Sequence, residues 1–325
     1  MKQLVAYLSR PRTALALKGC ISVSLIVWMV SYTDLGALGE RAMQLRVEWL
    51  SVAVALFFLQ ALVATQRWVW VLRELDIEVS FGHALRMVFV GLFFNQTLPT
   101  TLGGDIFRVW ELRRAQAPLG AATSSVVFDR MSALLAVLII IASSLPALSA
   151  IVSEPLALAS LLLMTLGALV AFLLGVHADV IMHKASRWRL PPRLVPALRS
   201  ARHVLLNSAL STKILGSSLV IALMTGIATG LLAKSLGVNV DILTCCILLP
   251  PVILLTTLPI SLAGWGVREA AMVIAFGYVN VAAADALVLS ITFGFVVMLI
   301  GMPGGVLWLT RGYLQAPPIP DGSLR

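Results

Sequence analysis

The sequence predicts an all-α polytopic membrane protein with six full spans, two re-entrant helix hairpins and inverted repeats. Three observations carry that prediction. Hydrophobic residues make up 59% of the 325 residues and charged residues 12%, about half of the roughly 25% that a soluble domain carries. Apolar stretches long enough to cross a bilayer recur along the chain. Two helix-breaking segments far apart in the sequence share a pattern of Pro, Gly and Arg. A mean hydropathy of +0.97 leaves little room for a soluble domain. It also excludes a disordered chain, which would need low apolar content.

A spanning helix needs ~20 mostly apolar residues. Six stretches qualify, near 14–33, 48–70, 120–145, 155–176, 214–234 and 284–310, each bounded by charge, Pro or Gly. The first follows Lys2, Arg10, Arg12 and Lys18 and has a loosely cleavage-like Ala37-Leu38-Gly39 beyond it. The long basic region and the polytopic remainder favour an uncleaved helix over a signal peptide. Two further apolar stretches, 83–102 and 242–263, differ from these six. The first holds Asn95, Gln96 and Pro99 and runs into Gly103-Gly104-Asp105; the second holds Pro250-Pro251, Pro259 and Gly264-Trp265-Gly266. Broken backbone survives at membrane depth only where protein or a wet cavity covers it. Both stretches are therefore read as re-entrant hairpins, with an ordinary kinked span as the alternative.

Lysine and arginine set orientation. Lys184, Arg187, Arg189, Arg193, Arg199, Arg202 and Lys213 crowd the segment 177–213, which should be cytoplasmic. Counting outward from it puts Arg67, Arg73, Arg113, Arg114 and Arg311 on the same side, with both termini. The formal charge of +9 is thus mainly a topology signal, with attraction to anionic lipid second.

Residues 91–108 and 251–268 align without a gap at an offset of 160. Thr97/Thr257, Leu98/Leu258, Pro99/Pro259, Leu102/Leu262, Gly104/Gly264 and Arg108/Arg268 are identical. The same offset brings span 48–70 near 214–234 and span 120–145 near 284–310. One membrane domain, 1–325, then contains a first repeat at 47–145 and a second, inverted one at 207–311, each a helix, a re-entrant hairpin and a helix. Inverted repeats place transporter sites near the bilayer midplane.

At each hairpin tip a short helix should begin, near Gly103 and near Gly264. The first N–H groups of a helix lack intrahelical partners, and its dipole is positive there. Gly103, Gly104, Gly264 and Gly266 would let a ligand approach the backbone. Arg108 and Arg268, about one helical turn further on, would add full charges, so a phosphate is the natural guest. The plainer alternative is that the arginines snorkel and the glycines only turn the chain. Asp129-Arg130 lies early in a span, where charges are costly and functional by default. Asp129 could neutralise Arg108, and Glu269 could serve Arg268. Asp105 would cap its own helix and repel an anion there. Trp265 suits either a headgroup or the interface.

Cys20, Cys245 and Cys246 lie in apolar stretches without CxxC spacing, and His83, His177, His183 and His203 lack metal-ligand spacing. No metal site, cofactor or catalytic residue is expected. The basic segment 184–213 fits either a lipid-held surface helix or a solvated run. The tail APPIPDGSLR reads as a short disordered end.

The runs FFNQTLPTTLGGDIFRVWELRR, VVFDRMSALLAV and LPISLAGWGVREAAMV resemble the lysylphosphatidylglycerol synthase transmembrane-region family. Its flippase-like members are related to the membrane half of the multiple peptide resistance factor. Asn95, Pro99, Gly103-Gly104-Asp105, Asp129-Arg130, Gly264, Gly266, Arg268 and Glu269 fit its motifs. In two-part members this unit translocates a lipid made by a separate aminoacyltransferase domain, for which no stretch here has room, so the resemblance implies a stand-alone member rather than a synthase.

The resemblance and the residues together imply a lipid flippase or transporter of the bacterial inner membrane, not an enzyme. Its substrate would be an amphiphile with an anionic headgroup, such as a phospholipid, a hopanoid or a lipid-linked sugar. Asn95, Arg108, Arg268 and the four glycines would bind it. Asp105, Asp129, Arg130 and Glu269 would gate the path or form ion pairs. No P-loop is present, so transport would be downhill or ion-coupled. The alternatives are a membrane enzyme acting on a lipid-linked substrate and an accessory subunit of a lipid-biosynthetic enzyme. Nucleic acid is not expected as a partner.

Overall fold

The computed structural model describes residues 45–97, 102–152, 154–176, 208–257 and 264–310. The first span at 14–33, most of the basic segment, Pro99, Pro259 and the C-terminal tail lie outside the described residues. The described residues form helices: α1 Val47–Glu74, α2 Phe81–Thr97, α3 Gly103–Arg114, α4 Leu119–Ile151, α5 Pro155–Val176, α6 Ser208–Ser235, α7 Ile242–Thr256, α8 Val267–Gly277 and α9 Ala283–Thr310. Four of them are long and apolar enough to cross a membrane: α1, α4, α6 from Leu210, and α9. The described residues are thus all-helical in their regular structure, in keeping with a polytopic membrane protein.

Local chemistry explains where the helices stop. α1, α3, α6 and α8 end in the same hydrogen-bonded reversal, built around a left-handed residue: Asp76, Gln116, Gly237 and Asn280, with φ of 55°, 67°, 68° and 60°. At each end the following residue donates back into the last turn, as Ile77 does to Leu72 O at 2.9 Å and Val238 to Ala233 O at 2.9 Å. This is the Schellman arrangement, which satisfies otherwise orphaned carbonyls. At the starts of α2 and α7, Ser80 and Asp241 accept from the backbone N–H of His83 and Thr244.

One expectation is corrected here. Pro250 and Pro251 do not break the chain, because α7 runs through both to Thr256. Helix α2 ends at Thr97 and α3 begins at Gly103, while α7 ends at Thr256 and α8 begins at Val267. Gly264 and Gly266 supply the second turn, with φ of 83° and 86° that side chains rarely adopt.

Neighbour relations between helices come in matched pairs when α1, α2, α3 and α4 are exchanged for α6, α7, α8 and α9. Thus α2 packs on α9 as α7 does on α4, α1 on α2 as α6 on α7, and α3 on α4 as α8 on α9. α1 and α6 pack on each other and are antiparallel, since Gln60 reaches Thr225 while Arg67 reaches Ser218. Glycines let these helices approach closely, as small residues do in membranes. A Cβ on Gly104 would collide with the Gly91 carbonyl, and one on Gly304 with that of Phe89. One added at Gly226 would sit 2.7 Å from Cys246 Cα.

Candidate functional site

α3 turns back against α2 because two glycines meet there, and that reversal carries its charged residues into the bundle. Asn95 on α2 accepts from the Gly104 N–H at 2.8 Å. On α8 the Glu269 carboxylate accepts from the Gly266 N–H. One donor at each tip is therefore engaged by the protein's own side chain. Gly103 and Gly104 are the first two residues of α3 and Arg108 its sixth; Arg268 is the second residue of α8. The gapless alignment pairs Arg108 with Arg268. By helix position, Asp105 instead matches Glu269, each the third residue of its helix.

Around α3 five ionised side chains alternate in sign. Arg67 on α1 donates to Asp129 Oδ1 through Nε at 3.0 Å and Nη2 at 2.9 Å. Its Nη1 donates to Ser218 Oγ on α6 at 2.7 Å. Arg108 donates through Nη1 to Asp129 Oδ2 at 3.0 Å and through Nη2 to Asp105 Oδ1 at 2.7 Å. Arg130 completes the chain through Nε to Asp105 Oδ2 at 2.7 Å. The Trp68 ring packs against Arg108, 4.9 Å from centroid to guanidinium carbon. Four of the five residues are buried, while the Arg130 side chain is 50% exposed. Three cations against two anions leave one positive charge in excess.

The group lies deep. Asp129 is ten residues into α4, about 15 Å along the axis at 1.5 Å per residue. Arg67, one of the arginines that mark the basic side by count, is 5% exposed and lies seven residues inside the end of α1, where it serves the charge chain. Ser218 was missed. A serine in an apolar run carries no sequence signal until its partner is known.

Arg268 forms a second, electrically neutral group. It pairs with Glu269 and donates through Nε to Ser290 Oγ on α9 at 3.2 Å. Its guanidinium lies 4.7 Å from the Trp265 ring and 5.5 Å from the Phe293 ring. It fits only because Gly294 has no side chain, since a Cβ there would sit 3.0 Å from Arg268 Cζ. The sequence thus brings Arg108, Asp105, Asp129 and Arg130 together, and Arg268, Glu269 and Gly266 together. Among the described residues the two arginines share no partner.

A helical bundle with long apolar helices and a chain of ion-paired, mostly buried charges defines an integral membrane protein with a polar group in its interior. The chain belongs to the lysylphosphatidylglycerol synthase transmembrane-region family, whose model matches residues 15–305. It is also similar to a UPF0104 membrane protein of Methanocaldococcus jannaschii, 27% identical over 113 residues. That match covers 34% of this chain and 34% of the relative's length. No solved structure matches.

Proposed function

We propose that this protein is a lipid transporter that moves an amphiphile with an anionic headgroup between membrane leaflets. The observation that carries the reading is the unbalanced chain Arg67–Asp129–Arg108–Asp105–Arg130. An excess charge at that depth is costly unless an anion visits. Asp105 is held between the Arg108 and Arg130 forks, and a phosphate suits the same forks. A headgroup phosphate arriving at half-exposed Arg130 can take over from Asp105 on both arginines. Leu102, just before α3, and Ile106 and Trp110 on it are exposed at four-residue intervals, an apolar strip along which an acyl chain can lie. Arg268 with Trp265 serves as a second station.

In this reading the chain has six spans, and α2–α3 and α7–α8 are re-entrant hairpins in two inverted repeats, 47–145 and 207–311. The matched helix neighbours and helix ends support that arrangement. Both termini are on the cytoplasmic side of the inner membrane, in keeping with the basic segment. The family's own description, a lysylphosphatidylglycerol synthase membrane region, supports a role with lipids. The test is reconstitution in vesicles containing labelled phosphatidylglycerol. The parent should move the label, and Arg108→Ala and Arg130→Ala should slow it at least about tenfold, the worth of one charge-assisted contact. Two folded variants that move lipid like the parent would remove the reading.

A further inference from the structure

Glu111 is a buried acid that the charge chain does not use. It lies in α3, three residues beyond Arg108, and is 2% exposed. Its neighbour Leu112 belongs to an apolar cluster with Trp68, Leu72, Ile77, Ala84 and Met87. Asp105 and Asp129 each have both oxygens bonded to arginine, and both oxygens of Glu269 are bonded as well. Glu111 Oε2 has no hydrogen-bond donor among the described residues. Trp68 Nε1 likewise has no acceptor there, although its ring packs on Arg108.

The charged groups around Glu111 are otherwise occupied. On α3, Arg108 and Asp105 belong to the charge chain. Arg113 Nη1 donates to the Ala117 carbonyl at 2.8 Å. The Arg114 guanidinium lies over the Trp110 ring at 4.8 Å, and its charge acts on Glu111 from a distance. α2 and α4, which pack on α3, carry His83 and Arg86, and Asp129 and Arg130. α1, reached through Trp68, carries Arg67, Arg73 and Glu74. Glu111 Oε2 takes no hydrogen bond from any of them.

We infer that Glu111 is a proton-binding site, neutral while α3 is seated against α2 and α4 and ionised when α3 moves out, so that lipid movement is coupled to protons. A carboxylate whose buried oxygen has no donor is disfavoured in its charged form, whereas the protonated acid carries no charge to desolvate. The proton therefore favours the seated helix, and seating favours proton uptake, because coupling is reciprocal. A headgroup phosphate that takes Arg108 and Arg130 from Asp105 weakens the ties of the same helix. One short helix then senses both ligands. The coupling rests on the transport reading above; the proton site does not.

Infrared difference spectra of the protein in phosphatidylglycerol vesicles, taken as pH is raised, test the site. The C=O stretch of a protonated carboxylic acid should be present in the parent and missing in Glu111→Gln. Glu111→Leu, apolar and of similar size, gives the same comparison if the amide does not fold. No such band in the parent, or its persistence in both variants, overturns the site. A pH-sensitive dye inside the vesicles tests the coupling. Protons should move with labelled phosphatidylglycerol in the parent, and that movement should be lost in Glu111→Gln. Lipid moving without protons in the parent overturns the coupling alone. If no lipid moves, the transport reading and the coupling fall together, while the infrared result still decides the site.

Discussion

Arg67 and Asp129, on α1 and α4, are joined by two nitrogens that share one oxygen, Nε at 3.0 Å and Nη2 at 2.9 Å from Oδ1. That leaves Oδ2 free for Arg108. Asp129 is therefore the common anion of two helices that never follow one another in the chain. It ties the short helix α3 to the long helix α1 through α4.

Removing Asp129 should be the most damaging single change in the group. Asp129→Ala leaves Arg67 and Arg108 buried without that anion, a loss of about 3–5 kcal/mol for breaking a buried pair from one side. Asp129→Asn keeps the shape and should lose less. Thermal unfolding in detergent measures both. Equal melting temperatures for the parent and Asp129→Ala would refute the assignment.

Arg67 and Arg108 should be energetically coupled because they share Asp129, whereas Arg108 and Arg268 should be additive in stability. Contacting residues typically couple by about 0.5–3 kcal/mol, and distant ones add within about 0.5. Double-mutant cycles on unfolding settle this. Transport is a separate readout: non-additivity of Arg108→Ala and Arg268→Ala there would mean that one headgroup visits both stations.

Gly104→Ala should fail where Gly82→Ala succeeds. The new methyl on Gly104 meets the Gly91 carbonyl, whereas nothing lies within 4 Å of one on Gly82. Overpacking costs roughly 1–3 kcal/mol. Yield and melting temperature should fall for the first variant and stay level for the second.

Gln116→Gly should stabilise the protein. Gln116 holds φ of 67° at the end of α3, a conformation that costs a side chain roughly 1 kcal/mol and costs glycine little. A rise in melting temperature is expected. A fall would mean that the Gln116 side chain makes up for the strain.

Cysteine labelling tests the hairpins. In a background without Cys20, Cys245 and Cys246, cysteines at Gly82 and Gln116 should report one side of the membrane, and cysteines at Asn239 and Ala282 the other. A pair split across the bilayer would make that hairpin a full span.

The sequence made the helices legible to within a few residues: the span read at 48–70 is α1 at Val47–Glu74, and 284–310 is α9 at Ala283–Thr310. Apolar length depends on composition alone, so it can be read without partners. The motif residues were legible too, since a charge inside an apolar run is conspicuous. Rotation about each helix axis was not. Arg67 looked like any arginine near a span end until its contact with Asp129 turned it inward. Glu111 was hidden among Arg113, Arg114 and Trp110, and only its burial separates it from them. The gapless alignment pairs Arg108 with Arg268, whereas counting from the helix starts pairs Asp105 with Glu269, a register that residue identity alone does not reveal.

The contacts between α1 and α6 run in strict register: Gln60 with Thr225, and seven residues later Arg67 with Ser218. The one position at which that register also pairs a residue with its own counterpart by helix position is Leu62 with Leu223. A rotation exchanging the two halves would have its pivot there. Such an exchange would not be neutral. By helix position the counterparts of Arg67 and Asp129 are Ala228 and Phe293, so one half sets ions where the other sets a methyl and a ring. In the transport reading proposed above, the two extremes of a rocking cycle are therefore chemically unlike. On that reading the unloaded molecule should have a preferred facing direction written into its side chains, and the cargo would supply the difference on every passage.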